Sequence, residues 1–334
     1  MEQRSNIQIR LFETIKDSLP TNVSLVHLLS ELLSMSYDSA YRRIRGEKSL
    51  TLEEIHKISR EFNISLDSLL NTSSDRINFR SLILENEKFS LKDWLKGILF
   101  DLKNIKEASE KEIIYAAKDP PLFHYFQFPE IAAFKMFFYQ KTLLRIPDFN
   151  DKKFVINETD PEILDIGKSI LSISVRIPTT EIWNEDTFRI SLRQIEYYWV
   201  AGYFEKKSDV VKLFDVMDKW ISHIQMQAEM GFKFIHGTEA FGIEDSFRLY
   251  ENEVVLNDNN IFIRTNNKKK VYIPFNVLNL LITSNEKICA VVENHMRGLL
   301  KDSVLISVSG NKERNRFFNK LHQIIDEFRI RILK

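Results

Sequence analysis

The chain has 334 residues, of which 44% are hydrophobic and 28% charged. That composition builds a real core and excludes wholesale disorder; at roughly 150 residues per domain the length suggests two or three domains. Lys plus Arg and Asp plus Glu are each 47, which excludes a chain-wide attraction to nucleic acid or anionic membrane and confines any such contact to a local patch. Only 9 Gly and 8 Pro occur, well under the roughly 12% of average usage, so long elements with short connections are expected, and helices over many-stranded sandwiches. The single cysteine, Cys289, permits no internal disulfide and suits a reducing compartment. The first residues show no secretory signal and no run approaches the roughly 18 apolar residues of a spanning helix, so no membrane partner and a cytoplasmic location are expected.

Residues 1–72 read as five short helices. Ile7, Ile9, Leu11, Phe12, Ile15 and Leu19 form an apolar stripe that stops at Pro20. Ser24 caps a second helix carrying Leu25, Leu28, Leu29, Leu32 and Leu33, and a break at Ser34-Met35-Ser36 leads into a third, Tyr37 to Arg45, closed by Gly46. Thr51-Leu52-Glu53-Glu54 has capping-box spacing and opens a fourth, with Leu52, Ile55, Ile58 and Phe62 expected inside. Ser65 to Leu70 gives a last turn, and the polar stretch Asn71 to Asp75 reads as a linker.

From about 76 to 243 the pattern is mostly helical. Starts are expected at Ser90, at Ser109-Glu110-Lys111-Glu112, at Pro129, at Asp160-Pro161-Glu162, near Glu185 and at Ser208. Short β-rich runs follow at Phe247 to Leu256, Ile261 to Thr265 and Val271 to Ile273, split by Asn257 to Asn260 and Asn266-Asn267 turns. A last helix runs from about Asn311 to Leu333, with Phe317, Phe318, Leu321, Ile324, Ile325, Phe328 and Ile332 at helical spacing and Arg314, Arg316, Lys320 and Arg329 outside. The expected class is mostly α: a helix-turn-helix domain at 1–72, a helical regulatory or dimerisation domain at 73–245, and a small α+β part at 246–334 with an antiparallel β-meander.

Function concentrates in the third helix. Residues 1–72 are about neutral overall, yet in Tyr41-Arg42-Arg43-Ile44-Arg45-Gly46-Glu47-Lys48 four basic residues face one acid. Phosphates need donors of fixed charge, and the planar fork of Arg also matches guanine edges in the major groove. Ser36, Tyr37, Asp38, Ser39, Tyr41 and Arg42 are the expected base readers, and Arg43, Arg45 and Lys48 the expected backbone contacts. Leu29, Leu33, Met35 and Ser36 lead into the turn, and Arg42, Arg45 and Gly46 end the helix. Leu52, Lys57, Ile58, Phe62, Ile64, Ser65, Leu66, Asp67, Leu69 and Leu70 follow without a gap. On these residues the stretch from Leu25 to Leu70 resembles the Cro/repressor-like, or XRE-type, helix-turn-helix family. The resemblance implies that the first helix of the pair braces against DNA backbone while the second enters the major groove, usually as a homodimer on two half-sites. Val26 stands where that family often has Gln, Ser30 where a small Ala is usual, and Arg43 where an apolar residue is common, with Ile44 taking the inward position.

Other constellations are weak. Gly237 to Gly242 has phosphate-loop glycine spacing but lacks the Lys and the hydroxyl that follow. The seven histidines show no i, i+4 pair, so neither a metal nor a cofactor is expected. Cys289 lies in an apolar run and reads as a buried thiol. Aromatics crowd 123–139 and 197–204. They suit a large core, or alternatively a dimer surface or a pocket for a small apolar effector with His124 and Gln127 as polar handles. The leading expectation is a sequence-specific transcriptional regulator with double-stranded DNA as partner, and not an enzyme. The alternative is a protein-interaction scaffold that uses its helix-turn-helix for partner binding.

Overall fold

Helix caps and apolar spacing settle the N-terminal elements, and two-sided burial settles the sheet that follows. The computed structural model describes residues 7–19, 23–62, 64, 66, 69, 77–81, 90–253, 259–275 and 278–334. Contacts divide the chain into two units, Met1–Phe79 and Arg80–Lys334.

The first unit contains α1 (Ile7–Ser18), α2 (Leu25–Leu32), α3 (Tyr37–Ile44) and α4 (Leu52–Glu61). Ser24, Ser36 and Thr51 each accept a hydrogen bond from a backbone N–H of the helix they cap, and Thr51 with Glu54 completes the reciprocal box. Leu11, Phe12, Ile15, Leu29, Ala40, Ile58 and Leu69 form the core. Gly46 adopts φ +75°, the left-handed conformation expected after α3. Two expectations of burial fail here. Leu52 is 80% exposed because it occupies the first residue of α4, ahead of the face that Ile58 buries, and Ile7 and Ile9 are exposed at the start of α1. Of the fifth helix expected at 65–70 only Leu66 and Leu69 are described, both helical, while the stop at Pro20 and the linker at 71–75 lie outside the described residues.

The second unit is built on one eight-stranded sheet. Its strands are β1 (Arg80–Ser81), β2 (Lys111–Ala116), β3 (Thr179–Trp183), β4 (Phe247–Glu251), β5 (Asn260–Thr265), β6 (Lys268–Pro274), β7 (Leu280–Thr283) and β8 (Val304–Leu305). The order is β1-β7-β6-β5-β2-β3-β4-β8, with β2, β3 and β4 mutually parallel and every other pairing antiparallel. The helices are α5 (Leu91–Glu107), α6 (Leu122–Tyr125), α7 (Pro129–Phe138), α8 (Pro161–Ser174), α9 (Glu185–Val200), α10 (Lys207–Met230), α11 (Glu286–Lys301) and α12 (Asn311–Leu333). A π-turn at Tyr139–Leu143 continues α7.

Alternation along the strands splits the core in two. Ile113, Tyr115, Trp183 and Ile263 face the large core shared with α5 to α10 and α12, while Ile114, Ala116, Ile182 and Phe262 face the smaller one under α11, with Cys289 and Met296. The mostly-α class with a β part holds. Within it, the helix expected from Ser109 is strand β2: the Ser109 hydroxyl bonds Asn266 Oδ1 at 2.8 Å instead of capping. A strand buried on both faces reads as an unbroken apolar run, and the β-branched pair Ile113-Ile114 favours extension. The meander is β5-β6-β7. The β4 run that was grouped with it sits beyond β2 and β3, so the sheet takes strands from both sides of residue 245. The Asn257-Asp258 turn lies outside the described residues.

The aromatic segments form core. Phe134 packs edge-on to Phe154 at 5.5 Å and Tyr198 at 5.3 Å, and Tyr198 meets Tyr203 at 5.4 Å. The apolar stripe of α12 packs on α9 and α10. Arg314, expected outside, is buried, because Gly310 turns the chain so that its guanidinium donates to Ile306 O at 3.2 Å and to Asn311 Oδ1. No helix among the described residues is long and apolar enough to cross a membrane.

Lys135, Asp119 and His223 are among the polar residues that the fold buries. Lys135, with no exposed surface, donates to both Asp119 oxygens at 3.0 Å and to Gln194 Oε1 at 2.9 Å. Burial pushes the Lys135 ammonium below its ordinary pKa even beside that carboxylate. His223 in α10 is buried, and desolvation lowers its pKa from 6.5 to about 4. It is therefore neutral when folded. Its stabilising contribution is full above pH 6.5 and is lost as pH falls toward 4. A fall of about 3 kcal/mol over that window is expected from this group. Denaturation at stepped pH, followed by the fluorescence of Trp220 one turn away, checks it: His223→Gln should flatten the dependence, and an equally steep curve in that variant would refute the assignment.

Candidate nucleic-acid interface

The pair α2 and α3 is joined by a tight turn, with Ser34 at φ +50° and Met35 N–H donating to Ser30 O at 3.0 Å. The Ser30 hydroxyl donates to Met35 O at 2.6 Å and so closes the turn. On α3, Ala40 points into the core against Leu29. This leaves Tyr37, Tyr41 and Arg45 in one outward row and Asp38 with Arg42 in the next, at the four-residue spacing that aligns side chains on a helix. Ser36, Tyr37, Asp38, Tyr41, Arg42, Arg45 and Lys48 are all exposed. Ser39 is half-buried, its N–H donating to Ser36 Oγ at 3.3 Å and its carbonyl accepting from Arg43.

Arg43 departs from its expected role at DNA. Its side chain is buried, with Nε 3.1 Å from Glu54 Oε2 and Nη2 2.6 Å from Glu54 Oε1. The same carboxylate accepts from Thr51 N–H at 3.0 Å, so one acid ties α3 to the cap of α4. The Arg43 guanidinium beside it holds the Glu54 carboxyl below its usual pKa. Arg43 thus turns inward as well as Ile44, which is partly buried and packs against the same core, because Glu54 offers the guanidinium a fork acceptor.

The outward face is electrostatically moderate. Glu47 lies 3.9 Å from Arg42 and 3.7 Å from Arg45, and the Arg45 guanidinium sits 5.7 Å over the Tyr41 ring. At the other end of α3, Tyr37 Oη lies 3.3 Å from His27 Nδ1, and His27 Nε2 lies 3.7 Å from Glu31. Sequence reasoning missed His27, Glu54 as a partner of Arg43, and Gln8, whose amide reaches the loop after α3. The only local signal was an arginine at an apolar position.

The polar handles of the expected effector pocket are occupied by the chain itself. His124 Nε2 lies 3.0 and 3.1 Å from the Glu181 oxygens. Gln127 donates to Phe234 O at 2.9 Å and accepts from His236 N–H at 2.8 Å. A cleft of about 260 Å³ opens nearby, lined by Asp218, Lys219, Ser222, His223, Met226 and His236.

No curated protein and no solved structure matches the chain. Residues 21–79 match the family model of the BetR domain, a DNA-binding domain of helix-turn-helix type, and this supports a DNA-binding regulatory role.

Proposed function

We propose that the chain is a sequence-specific transcriptional regulator that binds double-stranded DNA as a homodimer, docking α3 in the major groove in the XRE-like manner. The observation that carries this reading is the outward double row of Tyr37, Tyr41 and Arg45 with Asp38 and Arg42, on a helix whose opposite side is locked to the core by Ala40 and Arg43. In this reading Arg42 forks onto a guanine edge, Ser36, Tyr37, Asp38, Ser39 and Tyr41 read neighbouring bases, and Arg45 and Lys48 neutralise phosphates. Arg43 acts from inside, by fixing the depth of the helix. The second unit supplies dimerisation, which sets the distance between two recognition helices, and a small effector would act by changing that distance. The protein works in the cytoplasm.

Selection from a random duplex pool tests the reading. Recovered sites are expected to contain two half-sites at a fixed spacing, and recovery of no preferred sequence would refute it. For Arg42→Ala, a loss of about 1–3 kcal/mol in discrimination at one base pair is expected, measured by competition between matched and mismatched duplexes. The acids Asp38 and Glu47 on the same face favour a second reading, a scaffold that contacts a protein partner. Absence of salt-sensitive association with duplex at low ionic strength would select it.

A further inference from the structure

We propose that Gln8 in α1 is a positioning residue for DNA-backbone contact: its carboxamide fixes the loop after the recognition helix so that Lys48 is presented to a phosphate. The inference rests on the DNA-binding reading above and extends it to a helix that precedes the family-matched residues 21–79.

Among the described residues, three hydrogen bonds to the loop after α3 converge on this one side chain. Gln8 Nε2 donates to Arg43 O at 2.6 Å and to Lys48 O at 2.8 Å, while Gln8 Oε1 accepts from Leu50 N–H at 3.0 Å. Two carbonyls on one side and one N–H on the other fix which end of the amide is nitrogen. The loop they hold has few internal bonds. Arg42 O accepts from Glu47 N–H at 2.8 Å and Lys48 N–H at 3.2 Å, and Gly46 supplies the left-handed turn. The Lys48 backbone is thereby gripped on both sides, through its N–H by the recognition helix and through its carbonyl by α1, while its side chain stays exposed. The grip is anchored, because Leu11, Phe12 and Ile15 seat α1 in the same core as Ala40. Released from α1, the loop would have to give up backbone freedom again on meeting a phosphate, a cost per residue that matches or exceeds what one exposed contact returns, so the contact is lost together with the grip.

Anisotropy of a selected fluorescent duplex, titrated with full-length protein across a salt series, tests the proposal. For Gln8→Ala, affinity is expected to fall about fivefold near 0.15 M salt, with the log–log salt slope shallower by about 0.9, the signature of one lost phosphate contact. Lys48→Ala should show the same change, and adding Gln8→Ala to it should change nothing further. Base preferences should be retained in all three. Amide exchange should accelerate at Lys48 and Leu50 in Gln8→Ala while α2 and α4 stay protected. Gln8→Met, which keeps side-chain length, repeats the test if the alanine variant is destabilised.

An unchanged salt slope, or additive losses in the double variant, would overturn the role of Gln8 while leaving DNA binding intact. Loss of protection throughout α2 and α4 in both variants would overturn it too, since Gln8 would then hold the fold and not the loop. If the unaltered protein binds no duplex at any salt, the DNA reading itself fails, an outcome separate from either of these.

Discussion

Lys135→Ala is expected to destabilise the C-terminal unit by about 3–5 kcal/mol, the cost of leaving a buried carboxylate without its partner. Asp119 is nearly as enclosed as the lysine and loses both of its 3.0 Å contacts, while the neutral hydroxyls of Ser191, at 3.3 Å, and of Tyr125 stay bonded to it and supply no compensating charge. The lysine also sits 4.6 Å over the Tyr125 ring, so truncation opens space in the aromatic core as well. All four tryptophans, Trp94, Trp183, Trp199 and Trp220, lie in this unit, and chemical denaturation followed by their fluorescence reads its stability selectively. Lys135→Met should cost nearly as much as the alanine, and pairing it with Asp119→Leu should recover most of the loss, because two matched apolar groups leave no charge behind. A midpoint unchanged in Lys135→Ala would mean that water already solvates Asp119.

Arg43→Ala carries the second large effect. Its partner Glu54 keeps some solvent contact, so a loss of about 2–4 kcal/mol in the N-terminal unit is expected, somewhat under that of a fully enclosed pair. Amide exchange over residues 37–61 measures it without involving the second unit. Glu54→Gln should reproduce part of the loss. The carboxyl is held below its ordinary value of 4.5, so its stabilisation is complete above that pH and disappears as the pH drops through the lowered value. Were Arg43 a phosphate contact instead, the alanine variant would keep its protection and lose about 0.9 from the salt slope.

That contrast shows where sequence reading reached its limit. Helix ends were legible because their signals are local: the Ser24 and Thr51 caps, Gly46 and the Asp160-Pro161 start each act within one turn. The outward residues of α3 were legible by type. The burial of Arg43 beside an inward Ile44 was not, since adjacent helix positions differ by about 100° and the group that draws Arg43 in, Glu54, belongs to the next helix. Strand β2 was illegible for a related reason. Its register partners in β3 and β5 lie 66 and about 150 residues away, and within its own six residues the β-branched pair Ile113-Ile114 is the one hint against a helix, too short to outweigh the capping-box spacing at Ser109. Gln8 gives no signal at all, as one polar residue near the start of an amphipathic helix.

The parallel trio also has a temporal meaning. β2, β3 and β4 start at residues 111, 179 and 247, and the apolar flanks of α9 and α10 stay uncovered until α12 has been made. The N-terminal unit, whose contacts are short in sequence, completes itself long before then. During synthesis the N-terminal unit is thus finished first, while the second unit passes through a stage with bare greasy flanks, vulnerable to clumping until α12 covers them.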